Sequence, residues 1–389
     1  MRLETAICES IGALPQDEWN ALRGADHPFL RHEFLAALER HDCVGGSTGW
    51  NPRHAIVTDG GVLVAAMPLY LKTHSWGEFV FDWGWAQAYA RAGFDYYPKL
   101  VSTVPFTPAG TARFLARSGY ERDIVAPRLL GAALEDARAL GASSLHLLFV
   151  DTPDRDLLRD AGFLMRKDCQ FHWHNRGYGD FEDFLAGFSS AKRKKVRRER
   201  RRVAEAGIDF EALDGGAIGL ALWQDIYRFC ASTFTRRGHL PYLTPGFFAE
   251  VGRTLADRIV VILARLHRRP VAAAICFRSA DTLYGRYWGS ASDQHSLHFE
   301  TCYYQGIELC IRERLARFEP GTQGEHKISR GFTPVETWSA HWLAHPDFAD
   351  ALRSFVGRER RRVDAYIAAV HEHSPYRSTG DESRAARRT

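Results

Sequence analysis

The chain has 389 residues, of which 45% are hydrophobic and 12% aromatic, so it is long enough for two domains with real cores and is not disordered overall. Its net charge is only +4, but nine basic residues and one acid lie between Lys192 and Arg202, which favours an anionic partner there. Charges interrupt every apolar run and no N-terminal signal segment is recognisable, so we expect a cytoplasmic protein without a membrane span. The seven cysteines form no CxxC pair and are expected to be reduced core thiols.

Residues 1–177 are predicted to form one lobe of mixed α+β order. Apolar residues recur at helical spacing in some segments and alternate in others, and a Gly60-Gly61 turn separates two alternating runs. The predicted elements are the helices Gln16–Arg23 and Arg31–Arg40, the hairpin strands His54–Thr58 and Val62–Lys72, the helix Ile124–Leu140, the strand Ser144–Val150, the helix Asp154–Ala161 and the strand Phe163–Trp173.

Between the hairpin and the helix at residue 124 lies a stretch rich in aromatic and acidic residues. If residues 73–82 are extended, His74, Glu78 and Asp82 share one face with Trp76. Aromatic groups beside acids often line a cleft, so we predict that His74, Glu78, Asp82 and Lys99 bind substrate. The alternative is an aromatic loop that packs over the seam between two domains.

A strongly basic helix is predicted over residues 189–206, with Ser189 or Ser190 as its N-cap. Val196 and Val203 give it only a narrow apolar seam, so most of its charges face solvent. One interpretation has Arg197, Arg198, Arg201 and Arg202 following the phosphates of a nucleic acid. The other is a helix whose charges only keep the protein soluble.

The second lobe, residues 178–375, is built around a predicted strand–turn–strand–helix unit. Val271–Phe277 is apolar on both faces, as in a covered central strand, and Leu283–Trp288 runs back after a turn. The helix that follows begins in a loop of small and polar residues, and its first N–H groups suit a phosphate or an oxyanion. The run VLVAAMPLYLK near residue 62 resembles RPVAAAICFRS near residue 269, which indicates a weak internal repeat. Residues 376–389 are expected to be a disordered tail.

The run from Gly321 to Phe332 holds most of the candidate chemistry. If it is extended, Glu325 and Lys327 face one way and His326 the other, with Arg330 close by. These groups could supply a general base, a proton relay and anion clamps, or they could form a surface salt-bridge network. At the start of the preceding helix, His298 and Glu300 could act as a base or as residues that cap the helix.

Metal chemistry and the common hydrolase motifs have little support in this sequence. His172 and His174 share a strand face and His295 and His298 are three residues apart, but neither pair has further ligands at matching positions. The chain contains no GxGxxG, GxxxxGK[ST], GxSxG or HExxH motif. We therefore expect neither a metal nor a tightly bound cofactor.

Several long motifs in a fixed order resemble the Fem-type branch of the GNAT acyltransferases, in the group associated with peptidoglycan biosynthesis or recognition. The resemblance covers roughly residues 29–342. The motifs are HSWGEFVFDWGWA (74–86), YYPKL (96–100), PFTP (105–108), QFHWHN (170–175), KRKKVRRER (192–200), LYGRYWG (283–289), LHFETCYYQGIE (297–308) and GEHKISRGFTP (324–334).

The resemblance implies an α+β fold of two tandem GNAT-like lobes, each a mixed sheet flanked by helices. It also implies an N-acyltransferase that moves an acyl or aminoacyl group to an amine acceptor, such as a cell-wall precursor, by direct attack in a cleft between the lobes. The donor is either aminoacyl-tRNA or acyl-CoA. GSASDQHSLHFE replaces the usual [QR]xxGx[GA] loop of CoA-dependent members, which counts against acetyl-CoA.

On this basis we predict two sets of site residues. The catalytic candidates are Glu325, His326 and Glu300. Arg286, Trp288, Lys327 and Arg330 are predicted to bind substrate, facing the acidic and aromatic residues of the first lobe. The competing hypothesis is a non-catalytic protein that recognises a cell-wall precursor or a nucleic acid.

Overall fold

The computed structural model describes residues 2–322 and 324–377, which belong to two compact units. The first unit comprises Met1–Asp168, Tyr242–Thr254 and Glu336–Val363, and the second comprises Cys169–Pro241, Leu255–Val335 and Asp364–Thr389. The predicted boundary at residue 177 had placed both later segments of the first unit in the second lobe. Most of the predicted tail, residues 378–389, lies outside the described residues, but Tyr376 packs in the second unit, where its hydroxyl donates to the Gly331 carbonyl.

The helices predicted over residues 16–23, 31–40, 124–140, 154–161 and 189–206 are present with ends shifted by up to a few residues, whereas the helices Trp83–Arg91 and Phe181–Ala186 were not predicted. The helices are α1 Gln16–Asn20, α2 His32–Arg40, α3 Trp83–Arg91, α4 Arg122–Ala139, α5 Thr152–Asp160, α6 Phe181–Ala186, α7 Ser190–Glu205, α8 Leu220–Thr235, α9 Pro245–Thr254, α10 Leu297–Phe299, α11 Gln305–Arg312 and α12 Pro346–Glu372. A π-helical segment, Glu300–Tyr304, joins α10 to α11. No helix in these two described ranges is long and apolar enough to cross a bilayer.

The predicted strands of the first hairpin and those at residues 144–150, 163–173, 271–277 and 283–288 are present, and several others, among them Leu3–Cys8 and Ile208–Asp214, were not predicted. The strands are β1 Leu3–Cys8, β2 Leu22–Arg23, β3 Trp50–Pro52, β4 His54–Asp59, β5 Val62–Met67, β6 Tyr70–Lys72, β7 Lys99–Ser102, β8 Leu115–Arg117, β9 Ser144–Leu147, β10 Leu164–His174, β11 Ile208–Asp214, β12 Ile259–Leu266, β13 Arg269–Arg278, β14 Thr282–Ser290, β15 Arg317–Glu319 and β16 Thr333–Leu343.

The two units repeat one arrangement of strands. In the first unit the predicted hairpin β4–β5 is antiparallel, and β7 lies parallel to β9 after a crossover that contains α4. In the second unit the hairpin β12–β13 continues antiparallel into β14, and β14 lies parallel to β15 after a crossover through α10 and α11. The predicted fold class, α+β with two tandem GNAT-like lobes of mixed sheets and flanking helices, is confirmed.

The basic helix α7 packs as its narrow apolar seam predicts. Val196 and Val203 are buried on one face, and the acid between them, Glu199, is buried with them. Burying a charged carboxylate is unfavourable unless a cation pairs with it. The helix is therefore held to the second unit by a polar contact as well as by apolar packing.

Strand β14 and helix α8 approach so closely that only glycine fits at residue 289. A Cβ on Gly289 would lie 1.8 Å from the carbonyl oxygen of Phe229, which is a backbone atom and cannot swing aside. One turn further along the helix, the Thr233 hydroxyl donates to the Trp288 carbonyl at 2.8 Å. Gly289 thus fixes the depth at which α8 packs on the sheet that carries the candidate site.

We expect Gly289→Ala to lower the free energy of unfolding by about 1–3 kcal/mol or more, because the helix must move away from the strand. Gly131→Ala is the matched control. It lies inside α4, where a Cβ would meet no other group within 4 Å, so alanine should stabilise the helix by up to about 1 kcal/mol. Urea denaturation followed by circular dichroism measures both. Equal stability of the two variants would contradict the close approach.

Candidate active site

The π-helical segment after β14 brings a tyrosine into contact with one of the predicted histidines. The Tyr303 hydroxyl is 2.8 Å from Nε2 of His326. Gly324 makes room for the imidazole: its φ is 116°, and a Cβ there would lie 2.3 Å from Cε1 of the ring. A π-helical turn is a feature common at functional sites, because it turns side chains off the regular helical register. Here it turns Tyr303 towards an exposed imidazole.

A second imidazole lies beside this pair. The His298 ring centroid is 6.1 Å from that of His326 and 5.2 Å from that of Trp288. Burial, and then the neighbouring His326 and Arg330, lower the pKa of His298 to about 4. Burial, and then Arg330 and Lys327, also lower the pKa of His326. Both imidazoles are therefore uncharged near pH 7, and an uncharged imidazole can accept a proton.

Arg330 holds this histidine cluster in place from behind. It is 2% exposed, and Nη2 lies 2.9 and 3.0 Å from the two carboxylate oxygens of Glu199. Its Nη1 donates to the His326 carbonyl at 2.6 Å, and its guanidinium carbon lies 3.4 Å from the centre of the Phe299 ring. The Tyr304 hydroxyl donates to the same carboxylate. Arg330 was predicted to bind substrate, but its charge is already paired with Glu199, so it positions His326 instead.

Lys327 is a buried cation next to the histidine cluster. It is 1% exposed, and Nζ donates to the Gly321 carbonyl at 2.7 Å. Burial, and then the nearby positive charge of Arg286, lower the pKa of Lys327 to about 7. Arg286 lies at a bulge in β14, where the pairing with β13 shifts register. An amine near its pKa can either donate or accept a proton at neutral pH.

The expectation of an extended run from Glu325 to Arg330 is wrong, because these residues form a 3₁₀ helix. Successive side chains in such a helix point about 120° apart. Glu325 therefore leaves the histidine cluster and accepts a hydrogen bond from the Tyr366 hydroxyl at 3.0 Å. Of the three catalytic candidates, only His326 faces Tyr303 and His298.

Glu300, the third catalytic candidate, makes contacts that were not predicted. Its carboxylate accepts from Arg200 Nε at 3.1 and 3.3 Å and from Gln305 Nε2 at 2.8 Å. Burial is the main cause that raises its pKa, and Arg200 opposes the shift. The structure thus favours a role for Glu300 in holding α7 against the π-helical segment.

The four substrate-binding candidates of the first unit do not form an extended face, because residues 73–82 contain turns rather than a strand. Lys99 nevertheless contacts two of the other candidates, Glu78 and Asp82. Its Nζ is 2.8 Å from Glu78 Oε2 and also donates to Asp82. All three side chains are buried. Burial raises the pKa of Glu78 to about 7, with Lys99 opposing the shift. His74 lies apart from Lys99 and contacts the Thr48 carbonyl at 2.9 Å.

The four arginines predicted to bind nucleic acid are all exposed, but they are not equivalent. Arg197 pairs with Glu182 and Arg201 pairs with Glu205. Within residues 2–322 and 324–377, Arg198 and Arg202 have no ion pair. The helix therefore offers two uncompensated guanidinium groups one turn apart.

Two residues that build this site were missed in the sequence. Tyr303 carries no signal of its role in the sequence, because no periodic pattern reveals a π-helical turn. Glu199 carried a visible signal, since it is the one acid within the run of nine basic residues. An acid in that position predicts a buried partner cation, which is Arg330.

The chain belongs to the FemAB-like family, described as peptidoglycan biosynthesis/recognition, whose model matches residues 10–378. No curated protein sequence matches it.

Solved structures with the same fold are only distantly related in sequence. FemX is 12% identical, with a TM-score of 0.52, over 91% of this chain and 100% of that one. The C-terminal domain of a putative lysylphosphatidylglycerol synthetase from Agrobacterium fabrum is 13% identical, with a TM-score of 0.50, over 86% and 92%. A Bacteroides thetaiotaomicron protein of unknown function is 11% identical, with a TM-score of 0.50, over 87% and 99%.

Lys327 gives the site a testable dependence of stability on pH. In the folded protein its amine binds a proton only below about pH 7, whereas in the unfolded chain it does so up to about pH 10. The unfolded state binds more protons between these values, so the contribution of Lys327 to stability becomes less unfavourable as the pH rises. Lys327→Met should raise the melting temperature at pH 7, and the difference from the wild type should shrink towards pH 10.

Lys194→Met is the control for this measurement, because Lys194 is exposed on α7 and its replacement should leave the pH profile unchanged. Differential scanning calorimetry from pH 6 to about pH 10 would give both curves. A Lys327→Met effect that is the same at every pH would show that the amine is not buried in its neutral form.

Proposed function

We propose that this protein transfers an acyl or aminoacyl group to an amine acceptor and that His326 is the general base. The observation that carries the proposal is the contact between Tyr303 and His326, beside a second uncharged imidazole. Membership of a family described by peptidoglycan biosynthesis or recognition supports a cell-wall precursor as acceptor. The acceptor class and the reaction are thus inferred together from the site and the family.

The chemistry requires a base because an amine acceptor arrives mainly as an ammonium ion. His326 takes one proton, the free amine nitrogen attacks the acyl carbonyl carbon, and a new C–N bond forms. The tetrahedral oxyanion then collapses, and the C–O or C–S bond to the donor breaks. The attacking nitrogen gives up its second proton, and the leaving oxygen or sulfur takes up one proton, so the step balances. For this role Nε2–H of His326 donates to the Tyr303 hydroxyl, which orients the imidazole and leaves Nδ1 to take the proton. Burial raises the pKa of Tyr303 and keeps its phenol uncharged.

Lys327 supplies the second proton-transfer group of the proposed mechanism. An ammonium of low pKa is a strong hydrogen-bond donor, so Lys327 stabilises the developing oxyanion or protonates the leaving group. Trp288 and His298 form an aromatic wall that holds the acceptor. An aminoacyl-tRNA or acyl-CoA donor would place the reaction in the cytoplasm.

His326→Ala should reduce the turnover of donor by about a hundredfold or more, because a general base contributes that much to proton transfer. Tyr303→Phe keeps the base and loses only its orientation, so it should retain more activity than His326→Ala. The assay incubates purified protein with a cell-wall precursor and either charged tRNA or acyl-CoA, and follows deacylation or thiol release. Wild-type rates in His326→Ala at unchanged melting temperature would remove His326 as the base.

The competing proposal is a protein that binds a cell-wall precursor without transferring anything to it. The neutral histidines and the aromatic wall would then be a recognition surface. The same assay separates the two: no donor of either type would be consumed, while mass spectrometry of the native protein would detect a bound precursor.

If the donor is aminoacyl-tRNA, α7 is its proposed docking surface. The double variant Arg198→Gln/Arg202→Gln should weaken tRNA binding more than Arg197→Gln/Arg201→Gln, because the carboxylates of Glu182 and Glu205 beside the second pair offset part of its attraction for phosphate. Two lost phosphate contacts should reduce the slope of log affinity against log salt by roughly 1.4–1.8. Filter retention at several salt concentrations measures both. Equal binding by the two variants and the wild type would remove α7 from tRNA docking and favour a CoA-type donor.

A further inference from the structure

The first unit contains a cleft that the proposed transfer reaction does not use. Its volume is about 560 Å³, which is in the range of small-molecule sites. Residues 163–165 at the start of β10 and Trp338 of β16 form its floor, and helices α5 and α12 form its walls. Every residue that lines it belongs to the first unit.

The floor of the cleft is apolar and the rim is cationic. Phe163, Met165 and Val356 are buried, and the ring of Trp338 is half-buried beside them. Four arginines surround this floor: two on α5, Arg155 and Arg159, and two on α12, Arg353 and Arg360. This combination fits a ligand that has both several negative charges and a flat apolar part.

Two of the four arginines lie over the ring of Trp338. The guanidinium carbons of Arg155 and Arg360 lie 5.7 and 5.3 Å from the centre of the Trp338 ring. Their planar groups can stack on a flat ring while their N–H groups bind phosphate oxygens. A fatty acid would bring one carboxylate, which one arginine would satisfy.

The acids on the rim do not neutralise the site firmly. Arg155 and Arg159 contact Asp156 at 3.1 and 3.0 Å, Arg159 also contacts Asp160 at 3.2 Å, and Arg353 lies 3.8 Å from Asp350. These carboxylates are between 42% and 81% exposed, and exposed ion pairs contribute little to stability. A phosphate can therefore replace them as partner at low cost.

The walls of the cleft are fixed in position. Arg166 makes a two-pronged contact with Glu359 at 2.8 and 2.8 Å, and Arg360 Nη2 donates to the Met165 carbonyl at 2.8 Å. These contacts join α12 to β10. A preformed cleft loses less entropy when it binds a ligand than one that must first close.

We propose that this cleft is a binding site for a nucleoside di- or triphosphate, with the base on the Trp338 side and the phosphates on the arginine rim. The base would stack on the aromatic floor of the cleft, and the negatively charged phosphates would contact the arginines of its rim. The site does not depend on the proposed acyl transfer. It can be tested by binding alone.

Gly357 of α12 provides the sharpest test, because it lines the cleft and a Cβ there would meet no other group within 4 Å. Gly357→Ala should fold normally and bind as the wild type does, whereas Gly357→Phe should fill the cleft. Titration calorimetry of the full chain with ADP, GDP, CDP and UDP is expected to give binding for at least one nucleotide. Gly357→Phe should weaken that binding by at least about tenfold.

A second pair of variants keeps the test decisive if Gly357→Phe does not fold. Arg155→Gln/Arg353→Gln removes two rim charges and should weaken nucleotide binding by about tenfold or more. Arg358→Gln/Arg362→Gln changes the same charge on the same helix outside the cleft and should bind normally. Inorganic phosphate should bind much more weakly than the nucleotide.

Three results would overturn the proposal. The first is no binding of any of the four nucleotides, and the second is equal binding by Gly357→Phe and Gly357→Ala. The third is binding to vesicles of phosphatidylglycerol and phosphatidylcholine that Arg155→Gln/Arg353→Gln abolishes while nucleotides do not bind, which would make the cleft a lipid site.

Discussion

The ion pair between Glu199 and Arg330 is the interaction on which the candidate active site depends. It is buried on both sides, and it connects the basic helix, the 3₁₀ helix and the π-helical segment, since Tyr304 shares the same carboxylate. Removing one member of such a pair leaves an uncompensated buried charge, at a cost of about 3–5 kcal/mol. Arg330 also supports the backbone of His326. The position of His326, the proposed base, therefore depends on the carboxylate of Glu199, which belongs to α7.

The first unit repeats the strand arrangement of the second but uses its buried charges differently. Its cluster of Lys99, Glu78 and Asp82 is buried, and Ser75 and Tyr96 add hydrogen bonds to it. In the second unit, by contrast, the buried ion pair of Glu199 and Arg330 lies next to His326, whose imidazole is exposed. The repeated fold thus supplies the same framework twice, and the chemistry depends on which side chains reach the surface.

Elements with strong periodicity could be predicted from the sequence, and contacts between distant elements could not. The seam of Val196 and Val203 indicated α7, and alternating runs indicated the first hairpin. The run Val271–Phe277, apolar on both faces, indicated a central strand of the second unit, because local patterns decide local structure. The strand-like reading of residues 325–330 failed because the glycines at 324 and 331 allow a tight turn of 3₁₀ helix there. His326 was identified as a candidate by its neighbours in sequence, but its partner Tyr303 lies 23 residues away.

The geometry of the 3₁₀ helix explains why adjacent residues have such different roles. With three residues per turn, Lys327 and Arg330 lie on the same inner side, and His326 points outward. Two cations thus enter one buried region, where Glu199 pairs with Arg330. An arginine keeps its proton under all ordinary conditions, whereas a lysine can lose its own. The carboxylate of Glu199 therefore pairs with Arg330. Lys327 instead donates to the Gly321 carbonyl and has a pKa of about 7. Burial and the nearby charge of Arg286 lower the pKa of Lys327 with no carboxylate from the described part of the chain beside it to oppose them, so the lysine can exchange protons near neutral pH.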